Sequence, residues 1–161
     1  MDRELRRHVA ALLDGGHAHA TFDQAVANLA PELRGRKPEA GTEAGPYTAW
    51  QLLEHLRIAQ WDILEFSRTP GHISPEWPSG YWPATAKPPD PRSWARSVQS
   101  FRADLQAMKN LVLDPATDLF AVIAHGQGQT ILREALLVAD HNAYHIGQLV
   151  LLPKLLGAWK E

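Results

Sequence analysis

The sequence predicts an all-α protein, a four-helix bundle with long connections. Four stretches carry apolar side chains at helical spacing, and no stretch sustains the alternation of a β-strand. Ten of the 12 prolines lie in residues 31–46 and 70–91, where they separate the helical stretches. Only residues 119–124 suggest a short strand, with a buried turn as the alternative. One core suits a chain of this length, so residues 1–161 are expected to form a single domain.

The first helical stretch begins at residue 2 and is broken by Asp14-Gly15-Gly16 before it continues to Leu29. Thr21 and Gln24 have the spacing of a capping box, a reciprocal pair of side-chain bonds to backbone amides that begins a helix. Both one kinked helix and two separate helices fit this pattern.

The second helix has a well-marked start and end. Thr48 and Gln51 form another capping box, and Pro70 ends the apolar pattern that follows it. The stretch 70–90 is then expected to be a loop that is ordered by its own aromatic packing. Its aromatic residues are Trp77, Tyr81 and Trp82. We expect them to seal the bundle end or a dimer contact, with a lid over an apolar substrate as the alternative.

The last two helices are marked by capping residues and proline. The third helix is expected to begin at Asp90-Pro91, a cap residue followed by proline in the first turn, and to run to about Leu113. The fourth helix is expected to begin after Thr130 and to extend to about Leu152, where Pro153 interrupts or kinks it. Apolar residues leave this helix little polar face, which predicts burial on most sides.

Composition excludes several classes of protein. The chain has no cysteine, so disulfides, thiolate zinc sites and cysteine nucleophiles are ruled out. A net charge of −2 gives no basic surface for nucleic acid. No apolar run reaches the roughly 20 residues of a membrane span, and the N-terminus does not resemble a signal peptide. These features predict a cytoplasmic protein that binds neither membranes nor nucleic acids.

Three histidines suggest a metal site. His141 and His145 are four residues apart in the last helix, so their side chains project from one face. The second helix contributes one histidine, His55, among apolar neighbours. Each buried imidazole needs a polar partner, and for a lone histidine that partner is usually an ordinary hydrogen bond. Three histidines on two buried helices favour a shared metal ion instead.

Such a site would support a limited range of chemistry. Three neutral imidazoles leave a divalent ion with its full charge and at least one open coordination position. A water there has its pKa lowered towards about 7, or a substrate oxygen or thiolate binds instead. Imidazole suits several transition metals, among which zinc or nickel is the preferred expectation. The H-E-x-x-H pattern of zinc proteases is absent from the sequence.

The chain resembles the DinB superfamily of DinB/YfiT-like metal-dependent enzymes over essentially its whole length. The resemblance rests on Trp50 and His55 in the second helix, and on Asp140, His141 and His145 in the last. It implies a four-helix bundle with a long crossover connection, a three-histidine metal site and a homodimer. In some relatives it implies a transferase or isomerase reaction that uses a low-molecular-weight thiol bound at the metal.

Two carboxylates are candidate catalytic groups. Asp62 lies two helical turns after His55 on the same face, where it would orient a ligand or line the pocket; an exposed charge is the alternative. Glu134 lies two turns before His141 and is a candidate general base. An ion pair with an arginine such as Arg57 is the competing interpretation for Glu134.

Other histidines carry weaker expectations. His17 and His19 follow the glycine break, and His19 with Asp23 is expected near the height of the predicted metal ligands. There these two residues would form a wall of the pocket or, less favoured, complete the metal shell. His72 and His125 lie in loops and are expected to be solvated, although His125 could close over a pocket mouth.

Three polar residues of the last helix also need partners. Asn142 and Gln148 are expected to form hydrogen bonds, to neighbouring backbone rather than to substrate. Asp140 either accepts a hydrogen bond from a histidine or has a structural role, and the structural role is favoured.

Two functions remain open from the sequence. The first is an enzyme, a metal-dependent hydrolase or thiol-dependent transferase that acts on an unidentified small molecule. In that case His55, His141 and His145 hold the metal, and Glu134 and Asp62 are the catalytic groups. The second is a non-catalytic metal-binding or stress-related helical bundle module, which a fourth protein ligand closing the metal shell would favour.

Overall fold

The computed structural model describes residues 2–27, 29–38 and 47–158. The described residues form five α-helices, four of them long, and the expected all-α class is confirmed. In chain order the helices are α1 (Asp2–Asp14), α2 (Phe22–Val26), α3 (Ala49–Arg68), α4 (Ser93–Leu113) and α5 (Ile131–Leu155). Helix α3 packs against α4 and α5, and α1 packs against the same two helices, so the four long helices form the bundle.

The first helical stretch is two helices rather than one. Helix α1 ends at Asp14, and the following Gly15 and Gly16 have φ angles of 68° and 80°, a region that favours glycine. The predicted capping box of α2 is confirmed, because the Thr21 amide donates to Gln24 Oε1 and the Gln24 amide donates to Thr21 Oγ1.

The starts of the next two helices differ in how well sequence signals predict them. Helix α3 begins with the expected capping box of Thr48 and Gln51. Helix α4 begins at Ser93, and the prediction of a start at Asp90-Pro91 is wrong. The Asp90 carboxylate does accept the Arg92 amide at 2.8 Å, but this bond closes a turn ahead of the helix.

Helix α5 begins after Thr130 as expected, since the Thr130 hydroxyl accepts the Arg133 amide. The helix continues through Pro153 to Leu155, because a proline so close to the end removes little of the hydrogen-bond ladder. Most residues of α5 are buried or half-buried, as expected from its apolar pattern. One side of it faces solvent, with large exposed apolar residues at Leu136, Tyr144 and Leu151.

The core positions the site between α3 and α5. One apolar cluster includes Leu53, Leu56 and Phe101, and a second includes Leu64 and Met108. Residues 119–124 form a partly buried turn with one isolated bridge from Val122 to Thr130, and the described residues contain no strand. Among the described helices, none is long and apolar enough to span a membrane.

Candidate metal centre

The three predicted metal ligands lie together in the structure. His55 extends from the middle of α3, and His141 and His145 extend from the facing side of α5. One ring nitrogen from each lies within 4.8 Å of the other two. The Nε2 atoms of His55 and His141 are 3.1 Å apart. Helical spacing therefore predicted this grouping correctly, and the three residues could hold one metal ion.

Hydrogen bonds fix the rings of two of these histidines. Nδ1 of His55 lies 2.9 Å from the backbone carbonyl oxygen of Tyr81, and Nδ1 of His145 lies 2.7 Å from Oε1 of Gln148. Both oxygens only accept, so each Nδ1 carries the proton and donates it. In the neutral imidazole the other nitrogen, Nε2, then keeps a free lone pair. This arrangement orients a histidine for metal binding.

The His141 ring contacts His55 through Nε2 but has no partner at its other nitrogen among the described residues. Its Nδ1 atom is buried and has no hydrogen bond of ordinary geometry within the described residues. Burial, together with the neighbouring His145 and His55, lowers the pKa of His141 to about 4. Burial also lowers the pKa of both His55 and His145. All three rings are therefore neutral at pH 7, which is the form that ligates metals.

An aromatic stack covers one side of the cluster. The Trp82 ring lies parallel to the His55 ring, with centroids 4.0 Å apart and planes 2° apart. The Tyr47 ring in turn stacks on the Trp82 ring, with centroids 4.0 Å apart. His145 meets the His55 ring edge-on at 4.5 Å. The loop that contains Trp82 thus covers one side of the histidine cluster, a position that the sequence did not predict, whereas Trp77 is exposed.

Asp62 anchors that same loop. Its Oδ2 atom accepts the Tyr81 hydroxyl at 2.6 Å, and its Oδ1 atom accepts His72 Nε2 at 2.7 Å. Burial and the bond to Asp62 raise the pKa of Tyr81 to about 12, so the hydroxyl stays protonated and donates. The alternative of an exposed charge at Asp62 is wrong. So is the expectation of a solvated His72, whose side chain is only 7% exposed because it pairs with this buried carboxylate.

Glu134 lies in the first turn of α5, N-terminal to His141 and His145. Its side chain is buried and forms an ion pair with Arg133. Arg57, which the sequence suggested as an ion-pair partner of Glu134, pairs instead with Glu54 on α3. Seven residues separate Glu134 from His141, which corresponds to roughly 10 Å along the helix. Neither Glu134 nor Asp62 belongs to the group of three histidines.

The two histidines between α1 and α2 lie around a cavity beside α5, apart from the three-histidine cluster. His17 and His19 line a cavity of about 310 Å³ between the α1–α2 connection and α5, which Asp140 also lines. His19 thus walls a cavity, but neither histidine belongs to the group of metal ligands. Asp23 pairs with Arg102. His125 is exposed, as expected for a loop residue, and donates to the backbone carbonyl of Phe66.

The hydrogen-bond partners of two polar residues of α5 differ from those that the sequence predicted. Asn142 and Gln148 bond to side chains rather than to backbone: Asn142 Nδ2 donates to Gln60 Oε1, and Gln148 accepts from His145. Gln148 could have been found, because it lies three residues after His145 on a helix. The Tyr81 carbonyl could not, since any residue of the loop offers the same backbone atom.

The fold and these side chains define a class of protein, a helical bundle with a three-histidine candidate metal site between two of its long helices. Comparison with known families agrees with this class. A family model described as the DinB superfamily matches residues 16–149, which include all three histidines. The chain therefore belongs to the DinB superfamily. No match was found among curated proteins or among solved structures.

Proposed function

We propose that this protein is a metal-dependent enzyme in which His55, His141 and His145 bind one divalent ion, zinc or nickel. One observation carries the proposal: three neutral imidazoles converge within 4.8 Å, and two of them already donate their Nδ1 protons away from the cluster. Three histidine ligands leave a coordination position open for water or a thiolate. The proposed reaction is accordingly hydrolysis, or transfer to a low-molecular-weight thiol.

The donor set fits a transition metal better than a purely structural role. In the absence of a cation, the His55 and His145 rings donate outwards through Nδ1. Among the three described histidines, His141 Nε2, 3.1 Å from His55 Nε2, is then the one ring nitrogen left to donate to their Nε2 lone pairs. Buried acceptors without donors cost free energy, and a divalent cation satisfies several of them at once. Neutral nitrogen ligands of this kind are suited to zinc and nickel rather than to calcium or magnesium.

The roles of the two carboxylates follow from their contacts. We propose that Asp62 acts through Tyr81: it holds the loop whose carbonyl fixes the His55 ring. Glu134 stays a candidate general base, and activity of Glu134→Gln against a model ester or thiol-transfer substrate tests that role. The unidentified small-molecule substrate and the homodimer likewise stay predictions.

Zinc titration of single-histidine variants tests the proposed site. Isothermal titration of the wild type should give one high-affinity site per chain, and His55→Ala, His141→Ala and His145→Ala should each abolish it. His8→Ala is the matched control, because His8 is an exposed histidine on α1. Unchanged zinc binding in the three site variants would overturn the proposal. Tight metal binding without hydrolase or thiol-transferase activity would favour the non-catalytic metal-binding module.

A further inference from the structure

A chain of side-chain amides runs through the core to the metal centre. Gln60 of α3 is fully buried, and its Nε2 atom donates to the backbone carbonyl of Phe101 at 2.8 Å. Asn142 of α5 is 4% exposed, and its Nδ2 atom donates to Gln60 Oε1, also at 2.8 Å. Buried amides of this kind are costly to place in a core unless their hydrogen bonds are specific.

The direction of this chain is fixed at its far end. The carbonyl of Phe101 can only accept, so Gln60 must present its NH₂ group there and its oxygen towards Asn142. Asn142 must in turn present its NH₂ group to that oxygen. The remaining atom, Asn142 Oδ1, is therefore an acceptor by necessity. It is buried and has no hydrogen-bond partner of ordinary geometry within the described residues.

The other such atom is its complement. Nδ1 of His141, on the adjacent residue, is also buried without a partner of ordinary geometry. His141 and Asn142 are consecutive residues of α5, and both side chains reach α3, at His55 and at Gln60 respectively. One atom is an obligate acceptor, and the other becomes a donor whenever the His141 proton resides on Nδ1.

We infer that Asn142 is a positioning residue of the metal centre, whose Oδ1 accepts the Nδ1 proton of His141 and so directs the Nε2 lone pair into the histidine cluster. Gln60 holds Asn142 in that orientation. This inference rests on the proposed metal-binding function. It gives all three histidines an Nδ1 acceptor, namely a backbone carbonyl for His55, Gln148 for His145 and Asn142 for His141.

Zinc affinity of amide variants tests this inference. Asn142→Leu should weaken zinc binding by about 10- to 100-fold, the usual effect of removing a hydrogen-bond partner of a metal-bound histidine. Gln60→Leu should weaken it in the same direction by a smaller factor, through loss of the restraint on Asn142. Asn110→Leu is the matched control, because Asn110 also forms an amide–amide bond of 2.8 Å with a glutamine, but on the surface.

A conservative variant separates positioning from packing. Asn142→Asp keeps an oxygen that accepts from His141 and should bind zinc more tightly than Asn142→Leu. If Asn142→Leu does not fold, as judged by circular dichroism, the comparison of Asn142→Asp with Gln60→Leu decides. Affinity equal to wild type in Asn142→Leu, or in Gln60→Leu where Asn142→Leu does not fold, would overturn the inference.

Nitrogen-15 NMR of the histidine rings gives a readout that packing alone does not move. In zinc-loaded wild type, His141 should carry its proton on Nδ1 and its metal on Nε2. Ligation of His141 through Nδ1 would overturn the inference while leaving the metal site intact. A wild type that binds no zinc would overturn the proposed function together with this inference, so the two failures are distinguishable.

Discussion

Two polar clusters of this bundle contain histidine, and they differ in whether a carboxylate accepts the histidine proton. In the cluster of Asp62, His72 and Tyr81, the Asp62 carboxylate accepts one hydrogen bond from His72 and one from Tyr81. In the cluster of His55, His141 and His145, the imidazoles face one another with few donors among them. The same residue type therefore serves loop anchoring in one place and forms a candidate cation site in the other.

The comparison teaches that burial alone does not identify a functional histidine. The His72 side chain is about as buried as the histidines of the metal cluster, yet its Nε2 atom donates to the Asp62 carboxylate rather than facing another imidazole. In the other cluster, two rings donate outwards and leave lone pairs that point inwards. A missing donor, rather than a missing solvent contact, indicates where a cation fits.

The largest expected effect is stabilisation by metal. Zinc at about 100 times its Kd should add about 2.7 kcal/mol to the free energy of unfolding. His55→Ala should abolish this increment, whereas His72→Ala should retain it on a lower baseline. Urea unfolding with zinc and with a chelator measures both. Equal stabilisation of His55→Ala and the wild type by zinc would contradict the assignment of the cation site to the three-histidine cluster.

In metal-free protein, a mutation in the cluster of Asp62, His72 and Tyr81 should lower the unfolding free energy more than one in the three-histidine cluster. Asp62→Ala leaves the Tyr81 hydroxyl and His72 without an acceptor, and we expect a loss of about 2 kcal/mol in unfolding free energy. His141→Leu should cost less, since it removes a group that lacks a good partner. Urea unfolding in chelator compares them, and a larger loss for His141→Leu would contradict the distinction.

Acid should destabilise the metal-free protein through the histidine cluster. The pKa of His141 is about 4 in the folded chain against an ordinary value of 6.5, so the unfolded chain binds more protons between these values. Stability should therefore rise with pH across this window, by at most about 1.4 kcal/mol per pH unit for this group. Unfolding midpoints at about pH 5 and about pH 7 test the sign. His141→Asn, which does not titrate, should show a shallower slope.

The smallest expected effect concerns the Tyr81 hydroxyl. Tyr81→Phe removes one donor to Asp62 and leaves the backbone carbonyl that accepts from His55. We expect a loss of about 1 kcal/mol in unfolding free energy and nearly unchanged zinc affinity. Thermal unfolding and zinc titration of this variant check both parts. A large loss of zinc affinity would mean that the hydroxyl itself orients the loop more tightly than the comparison assumes.

Local sequence signals predicted much of the fold. The capping boxes at Thr21 and Thr48 place helix starts correctly, because both partners lie within one helical turn. The start of α4 was placed too early, since an aspartate bonding to the backbone two residues on closes a turn as readily as it caps a helix. The solvent-facing side of α5 depends on which helices pack around it, which its own sequence does not encode.

The metal cluster was likewise predictable only in part. Helical periodicity placed His141 and His145 on one face, and a single buried histidine on α3 completed the set. Of the groups that orient the rings, Gln148 could have been predicted from its helical spacing, whereas the Tyr81 carbonyl could not, because it comes from a loop. The contacts of Asp62 were missed for the same reason, as His72 and Tyr81 reach it only once the loop folds back.

Metal content of untagged protein tests the central claim most directly. Elemental analysis of the wild type and of His141→Ala, purified in parallel and then exposed to zinc or nickel, compares the chain with and without one ring of the cluster. We predict close to one equivalent of metal per wild-type chain and essentially none in the variant. A wild type that retains no metal and cannot be loaded with any would contradict the account.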